Sequence, residues 1–316
     1  MGFDRVALIR NMVDGAGKGL EIGPSHNPLF PKKEGFDVET LDYTNADALR
    51  ALYSGHPVNI DAIEHVDHVS DGRPIHEVVG KANCFDYVFS SHAIEHVTDF
   101  IGYFQSCEAL IKPGGCAVLA IPDKRFVFDA LRFPSTTGDV LEAWGRRDKR
   151  HSPGRVFDFF ASYSTFENLH TWDINAEGTL ELQNDLSTSL HWFDTARQGI
   201  SYIDVHAWTF SPASFRLIIR DLNDLGLLDL KIAKLVQNDT FEFYVCLTKE
   251  AAPNAHPRSD LALDVHREQL IGSRQITGIN EQNLTNVNSD YESEIKYNTS
   301  FVEKVGRLFK KYIIPK

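Results

Sequence analysis

The residues of this chain that can do chemistry sit at the ends of short apolar runs. Gly19-Leu20-Glu21-Ile22 is apolar enough for a buried strand, and it breaks at Gly23-Pro24 before Ser25-His26-Asn27. A strand must stop there, because proline brings no N–H to a sheet ladder. A strand that gives way to a small-residue loop offers backbone N–H groups to an anion-bearing ligand. Asp42 ends the next apolar run, Val38-Glu39-Thr40-Leu41, where an acidic side chain meets ribose hydroxyls in a nucleotide-binding α/β unit. The pair is more specific than either part.

Further candidates follow the same rule. Cys84-Phe85-Asp86-Tyr87-Val88-Phe89-Ser90-Ser91 is a short aromatic and β-branched run that ends in Ser91-His92, and Cys116 to Ile121 is another that ends in Pro122-Asp123. His92-Ala93-Ile94-Glu95-His96 has the letters of an inverted zinc-protease motif. That chemistry needs both histidines on one face of a continuous helix, whereas His92 directly follows a strand. The chain is therefore read without a metal, and His96 as a packing or capping residue. The basic run Arg146-Arg147-Asp148-Lys149-Arg150-His151 with Arg155 suits either a phosphate or uronate or a solvated face, and the aromatics from Trp144 to Trp192 suit a small core of their own.

The elements that must position these residues are legible in the order of the chain. Residues 1 to 16 read as a short helix covering the ligand or a sheet edge, and Pro28 to Gly35 is too Pro-rich and charged for a long helix. A helix capped by Asn45 follows Asp42, a third strand region covers residues 60 to 71, and a helix runs from about Thr98-Asp99 to Leu110, stopping at Lys112-Pro113-Gly114-Gly115. Strands that alternate with helices predict a mostly parallel sheet, which binds ligands at the carboxyl ends of its strands. Residues 124 to 208 break the alternation and read as an insertion or lid. Ser211-Pro212 then starts a helix to Leu225, and Leu228 to Val236 and Phe241 to Leu247 read as an antiparallel hairpin. Residues 251 to 298 read as a polar linker in which Leu261 to Leu270 can form a helix. Residues 299 to 316 put Phe301, Val305, Leu308, Phe309 and Tyr312 on one face beside basic residues, an amphipathic docking helix.

Composition narrows the function. The 316 residues are 42% apolar and 24% charged, ordinary for a globular protein, and the net charge of -12 argues against wrapping nucleic acid, which needs excess Lys and Arg. Cys84, Cys107, Cys116 and Cys246 lack CxxC spacing and read as reduced core thiols. The opening Met1-Gly2-Phe3-Asp4-Arg5-Val6 has neither a signal peptide's apolar stretch nor the Ser or Thr of a myristoylation site. The expectation is a cytoplasmic protein, peripheral at the inner membrane face through its last helix.

Taken together, Leu20-Glu21-Ile22-Gly23, Asp42, the Phe85 to Val97 run and Leu110-Ile111-Lys112-Pro113-Gly114-Gly115 resemble class I S-adenosylmethionine-dependent methyltransferases over residues 15 to 250. Ser25 and Asn27 depart from that family by standing where further glycines are common. The resemblance implies an α/β fold, a seven-stranded, mostly parallel Rossmann-like sheet whose last strand is antiparallel, with an inserted lid and a C-terminal tail helix. It implies S-adenosyl-L-methionine as cofactor, with Glu21, Gly23, Ser25 and Asn27 at its amino acid end, Asp42 on both ribose hydroxyls, Asp71 near the adenine amino group, and Ser91-His92 along the wall by the sulfonium. Ile121 to Asp129 and Val205 to Pro212 are similar to bacterial methyltransferases that accompany polysaccharide glycosyltransferases. That likeness implies a carbohydrate hydroxyl as acceptor, and a glycosyltransferase or the membrane as what the last helix docks on. The acceptor's proton needs a base within hydrogen-bond reach. Asp123, His170, His191 and His206 are candidates, Asp123 and His206 preferred. Two rivals stand beside this reading: an NAD-dependent sugar dehydrogenase or epimerase, disfavoured by the missing G-x-G-x-x-G, and a non-catalytic scaffold.

Overall fold

The computed structural model describes residues 4–13, 17–253, 255–273 and 276–280. Helix α1 (Arg5–Arg10) starts at Asp4, whose carboxylate accepts from the Ala7 N–H. The chain then alternates through β1 (Gly19–Ile22), β2 (Val38–Asp42), α2 (Ala46–Tyr53), β3 (His68–Val69), α3 (Ile75–Val79), β4 (Phe85–Ser91), α4 (Phe100–Leu110) and β5 (Ile111–Pro122). Asn45 caps α2 and Asp99 caps α4, each accepting one of the N–H groups that a helix start leaves unbonded.

β1 pairs with β2 and β4, and β4 with β5, all in parallel; β9 (Glu242–Thr248) runs antiparallel to β5, and β8 (Lys231–Gln237) antiparallel to β9. The order β3-β2-β1-β4-β5-β9-β8 is the expected seven-stranded sheet with its terminal hairpin. Side chains alternate across it, as strand geometry requires. Val88, Leu119 and Ile121 join the core under α4 and α8 (Pro212–Asp224), while Tyr87, Phe89, Val118 and Ala120 join Phe30 and Ile9 of α1 on the other face. The four cysteines are free thiols.

Two local expectations shift. The third strand shrinks from residues 60–71 to His68–Val69, with residues 60–62 in a short 3-10 helix, because the Asp67 carboxylate takes the Thr40 N–H that a longer edge strand would bond. β5 begins at Ile111, not at Cys116. Its partners jump from Ile111 opposite Phe85 to Cys116 opposite Tyr87, so Lys112 to Gly115 bulge out of the ladder.

Residues 124 to 208 fold into α5 (Thr137–Arg146), α6 (Pro153–Ser162), β6 (Ser164–Phe166), β7 (Gly178–Leu182) and α7 (Leu186–Gln198). β10 (Ile276–Asn280) adds a third strand beside β7. Helix α9 (Arg258–Ser273) occupies the segment where Leu261 to Leu270 has helical character. It docks on α8: Arg258 pairs with Asp221 at 2.7 Å, and the Glu268 carboxylate accepts from the Ala213 N–H at 2.9 Å. Residues 281–298 of the expected linker and the expected helix over 299–316 lie outside the described residues. No helix among the described residues is long and apolar enough to cross a membrane.

At Gly19 the backbone runs close against an aromatic ring. A Cβ there would fall inside the Tyr87 ring, which is fully buried and wedged against Phe30 with ring centroids 5.0 Å apart. Overpacking of this kind costs about 1–3 kcal/mol. Gly19→Ala should lower stability in urea unfolding by that amount, and Tyr87→Leu should relieve part of it; an unchanged midpoint in Gly19→Ala would contradict the packing described.

Candidate functional site

The carboxyl ends of β1, β2 and β4 lie side by side, and Gly23, Ser25, Asn27, Asp42, Ser91 and His92 sit at them. Gly23 has φ of 69°, and a Cβ built on it would meet none of the described residues within 4 Å, so the backbone is open to a ligand there. Ser25 and His92 follow β1 and β4 with φ of 49° and 50°. Left-handed backbone at a non-glycine residue is uncommon and gathers at binding sites. Asp42 is 3% exposed, and its two oxygens accept from the Ser25 N–H (3.1 Å) and the Tyr43 N–H (2.8 Å). Burial pushes its pKa up to about 6, against the pull of these donors. Asn27 bonds through its backbone to Pro24 at 2.9 Å, closing the loop.

Glu21 lies beneath the loop. Its carboxylate is buried and accepts from the Leu29 N–H (2.8 Å) and the Phe30 N–H (3.2 Å). It ties the loop from Gly23 to Phe30 back onto β1. Asp71 is exposed past the end of β3, paired with Arg73 at 2.7 Å.

Ser91 and His92 are held by a contact that sequence reasoning missed. Arg5 of α1 donates to Ser91 Oγ (2.7 Å) and to Glu242 Oε2 (3.0 Å), and His92 Nε2 meets the same Glu242 oxygen at 3.0 Å. Burial would raise the Glu242 carboxyl, but His92 and Arg5 hold it down at about 2. Helix α1 is thereby fastened over the strand ends.

The proton-acceptor candidates separate. Asp123 is 1% exposed, and both its oxygens are taken by Arg125, at 2.9 Å and 2.6 Å. A carboxylate held by both prongs of a guanidinium anchors its loop. His170 and His191 are exposed, the former meeting the Tyr163 hydroxyl at 3.1 Å. His206 is buried, with Nδ1 on Asp129 Oδ2 at 2.5 Å, and Arg132 holds Asp129 at 2.8 Å. Burial opposes ionisation of Asp129, but His206 and Arg132 keep its pKa at about 2. The His206 ring meets the His96 ring edge-on at 4.7 Å, and His96 Nδ1 lies 3.0 Å from Asp204 Oδ1. Burial would lower the His96 pKa; Asp204, Glu95 and Asp129 raise it to about 9.

The structure therefore joins His206 to Glu95 and His96 and leaves Asp123 and His170 with other partners. Asp129 and Asp204, like Arg5 and Glu242, have partners that sequence reasoning missed. One signal for Asp204 is present in the sequence: Asp204-Val205-His206 puts its two polar side chains on one side of an extended segment.

A family model described as a methyltransferase domain matches residues 8–209. No curated protein matches the chain in sequence. Among solved structures the chain is similar to an S-adenosylmethionine-dependent methyltransferase from Mesorhizobium loti, with 15% identity, 76% of this chain and 95% of that one covered, and a TM-score of 0.41. The CcbJ methyltransferase from Streptomyces caelestis is similar at 14% identity, covering 78% and 94%, with a TM-score of 0.40. A structure described under Zn-dependent alcohol dehydrogenases from Rhodobacter sphaeroides is similar at 14% identity, covering 79% and 92%, with a TM-score of 0.41.

The Glu21 carboxylate supplies a direct test of this loop. Its pKa is pushed by burial from 4.5 to about 7, so the folded state holds a proton more tightly than the unfolded one. Stability should fall as pH rises from about 4.5 through about 7. In Glu21→Gln the Glu21 share of this fall should vanish, so the gap in unfolding free energy between the two proteins changes across that window by on the order of 3 kcal/mol. A gap independent of pH would refute the assignment.

Proposed function

The chain belongs to the methyltransferase-domain family and is an S-adenosylmethionine-dependent methyltransferase, and from that premise we propose that its acceptor is a carbohydrate hydroxyl in bacterial surface polysaccharide synthesis. The observation that carries the reading is a meeting of two segments. Residues 121–129 and 205–212, on which the likeness to polysaccharide-associated enzymes rests, bond to each other: Lys124 N–H to the Phe210 carbonyl at 2.8 Å, and His206 Nδ1 to Asp129. Their junction faces the loop after β4 through Glu95.

The residues present fit the cofactor. The open Gly23 backbone accommodates a carboxylate, and each Asp42 oxygen, bonded so far to one backbone N–H, has a lone pair left for a ribose hydroxyl. When bound, the sulfonium supplies the methyl group: the acceptor oxygen bonds to carbon while the carbon–sulfur pair returns to sulfur. The chain's own part is to align the hydroxyl in line with that bond and to remove its proton. His92, beyond β4, forms the wall between the two ligands. Glu95, His96 and His206 lie just past it, and we assign them the hydroxyl end. His206 is poised for this, since Asp129 on Nδ1 leaves Nε2 facing Glu95.

Purified protein incubated with S-adenosylmethionine and bacterial surface glycans should yield a product heavier by one methyl-for-hydrogen exchange, located on oxygen by fragmentation. Transfer to amines with none to glycan hydroxyls would sink the reading. Asp42→Asn should weaken cofactor binding about 10–100-fold, the worth of a hydrogen bond to a charged group. Because the ionised form binds the diol, wild-type affinity should fall about tenfold per pH unit below about 6, and the variant should lack that slope. Equal pH profiles in calorimetry would remove Asp42 from the ribose.

A further inference from the structure

The Glu95 carboxylate is 1% exposed, and neither oxygen has a hydrogen-bond partner among the described residues. Buried carboxylates are otherwise hydrogen-bonded, so one whose neighbours all stand beyond hydrogen-bond reach points to a ligand. Three imidazole nitrogens surround its Oε1: His92 Nδ1 at 3.7 Å, His96 Nε2 at 3.9 Å and His206 Nε2 at 3.9 Å. Each ring rests its other nitrogen on a carboxylate, Glu242 for His92, Asp204 for His96 and Asp129 for His206. In a neutral ring a carboxylate there fixes the proton on its own side and turns the remaining lone pair inward, which is the backing that metal-bound histidines commonly have.

Three ring nitrogens and a carboxylate thus face one another across gaps too wide for hydrogen bonds. The ligand atoms of Glu95, His96 and His206 all lie within 4.8 Å of one another. Around a metal with bonds of about 2.1 Å they would stand about 3–3.5 Å apart, a closure that small side-chain rotations supply. The local charge favours a cation: Glu95, Asp129 and Asp204 bring three carboxylates, and Arg132 offsets one of them. The site is open on one side, because the His96 side chain is 28% and the His92 side chain 35% exposed.

We propose that Glu95, His96 and His206 bind a divalent transition metal, with His92 Nδ1 at the rim and the acceptor hydroxyl in the open position. Two imidazoles and one carboxylate suit zinc or a first-row neighbour such as manganese or cobalt. This is not the helical histidine pair that the motif letters suggest, since its third ligand comes from the segment before α8. The identity of the last ligand rests on the acceptor proposed above. With the cation in place the hydroxyl becomes more acidic, its proton leaves to water, and His206 serves as a ligand rather than as the base.

The test is metal binding by the full chain, stripped with chelator and titrated with Zn²⁺, Mn²⁺ and Co²⁺ in the absence of any acceptor. One ion per chain is expected, with a ligand-field spectrum for Co²⁺. Glu95→Gln and His206→Ala, checked for folding by circular dichroism, should abolish it. Asp204→Asn, which leaves the ligands in place, should weaken it about 10–100-fold. His191→Ala, on the exposed face of α7, should bind as the wild type does. No stoichiometric binding by the wild type, or equal binding in Glu95→Gln and His206→Ala, would overturn the site. Glycan methylation at full rate by stripped protein in chelator would likewise overturn it while leaving the acceptor assignment intact. A site that binds metal in a protein that methylates no glycan would retain the site and reject that acceptor.

Discussion

The arrangement of the site depends on one carbonyl. Glu95 O accepts from the Ala207 N–H at 2.8 Å and from the Trp208 N–H at 3.2 Å, and the Trp208 indole donates to the Val97 carbonyl. These bonds clamp the chain returning from the inserted region onto the loop that leaves β4. Trp208 is buried, with Arg155 stacked 3.9 Å from its ring, so the clamp is shielded from water, where such bonds are worth most. Because the clamp fixes residues 204–208 against 95–97, Asp204 reaches His96 and His206 reaches Glu95.

The same end of the sheet gathers buried charge, and most of it is paired. Asp123 is satisfied by Arg125, Asp129 by Arg132 and His206, and Glu242 by Arg5, His92 and Tyr244. Against that background the Glu95 carboxylate, with no hydrogen bond from the described residues, stands apart. Stability alone would favour an apolar side chain there, and that contrast with its neighbours is the basis of the proposed ligand site. The parallel sheet explains the location: strand ends that point one way collect their loops on one rim.

Much of the sheet was legible because its signals are local. Apolar runs of strand length, the caps Asn45, Asp99 and Ser211, and the break at Gly23-Pro24 each act within a few residues, and the elements stand where those signals put them. The third strand was overcalled because the Asp67 side chain replaces strand bonds with its own. The inserted region showed no period because its small sheet joins β6 and β7 to β10, almost a hundred residues beyond β7, so no local pattern records the partner.

For the opening stretch, Glu21 to Asn27, the sequence alone determined a strand that must end and a loop that offers its backbone, as proline geometry and glycine's freedom dictate. It also determined the class of fold and the acid at the second strand's end. Tertiary structure decided what each charge faces. It turned Glu21 onto its own loop, gave Asp123 to Arg125, and brought His206 across more than a hundred residues of chain to Glu95. The reason is physical: secondary structure follows from neighbours in the chain, whereas the partner of a buried charge is chosen by whichever distant side chain the packed core leaves beside it.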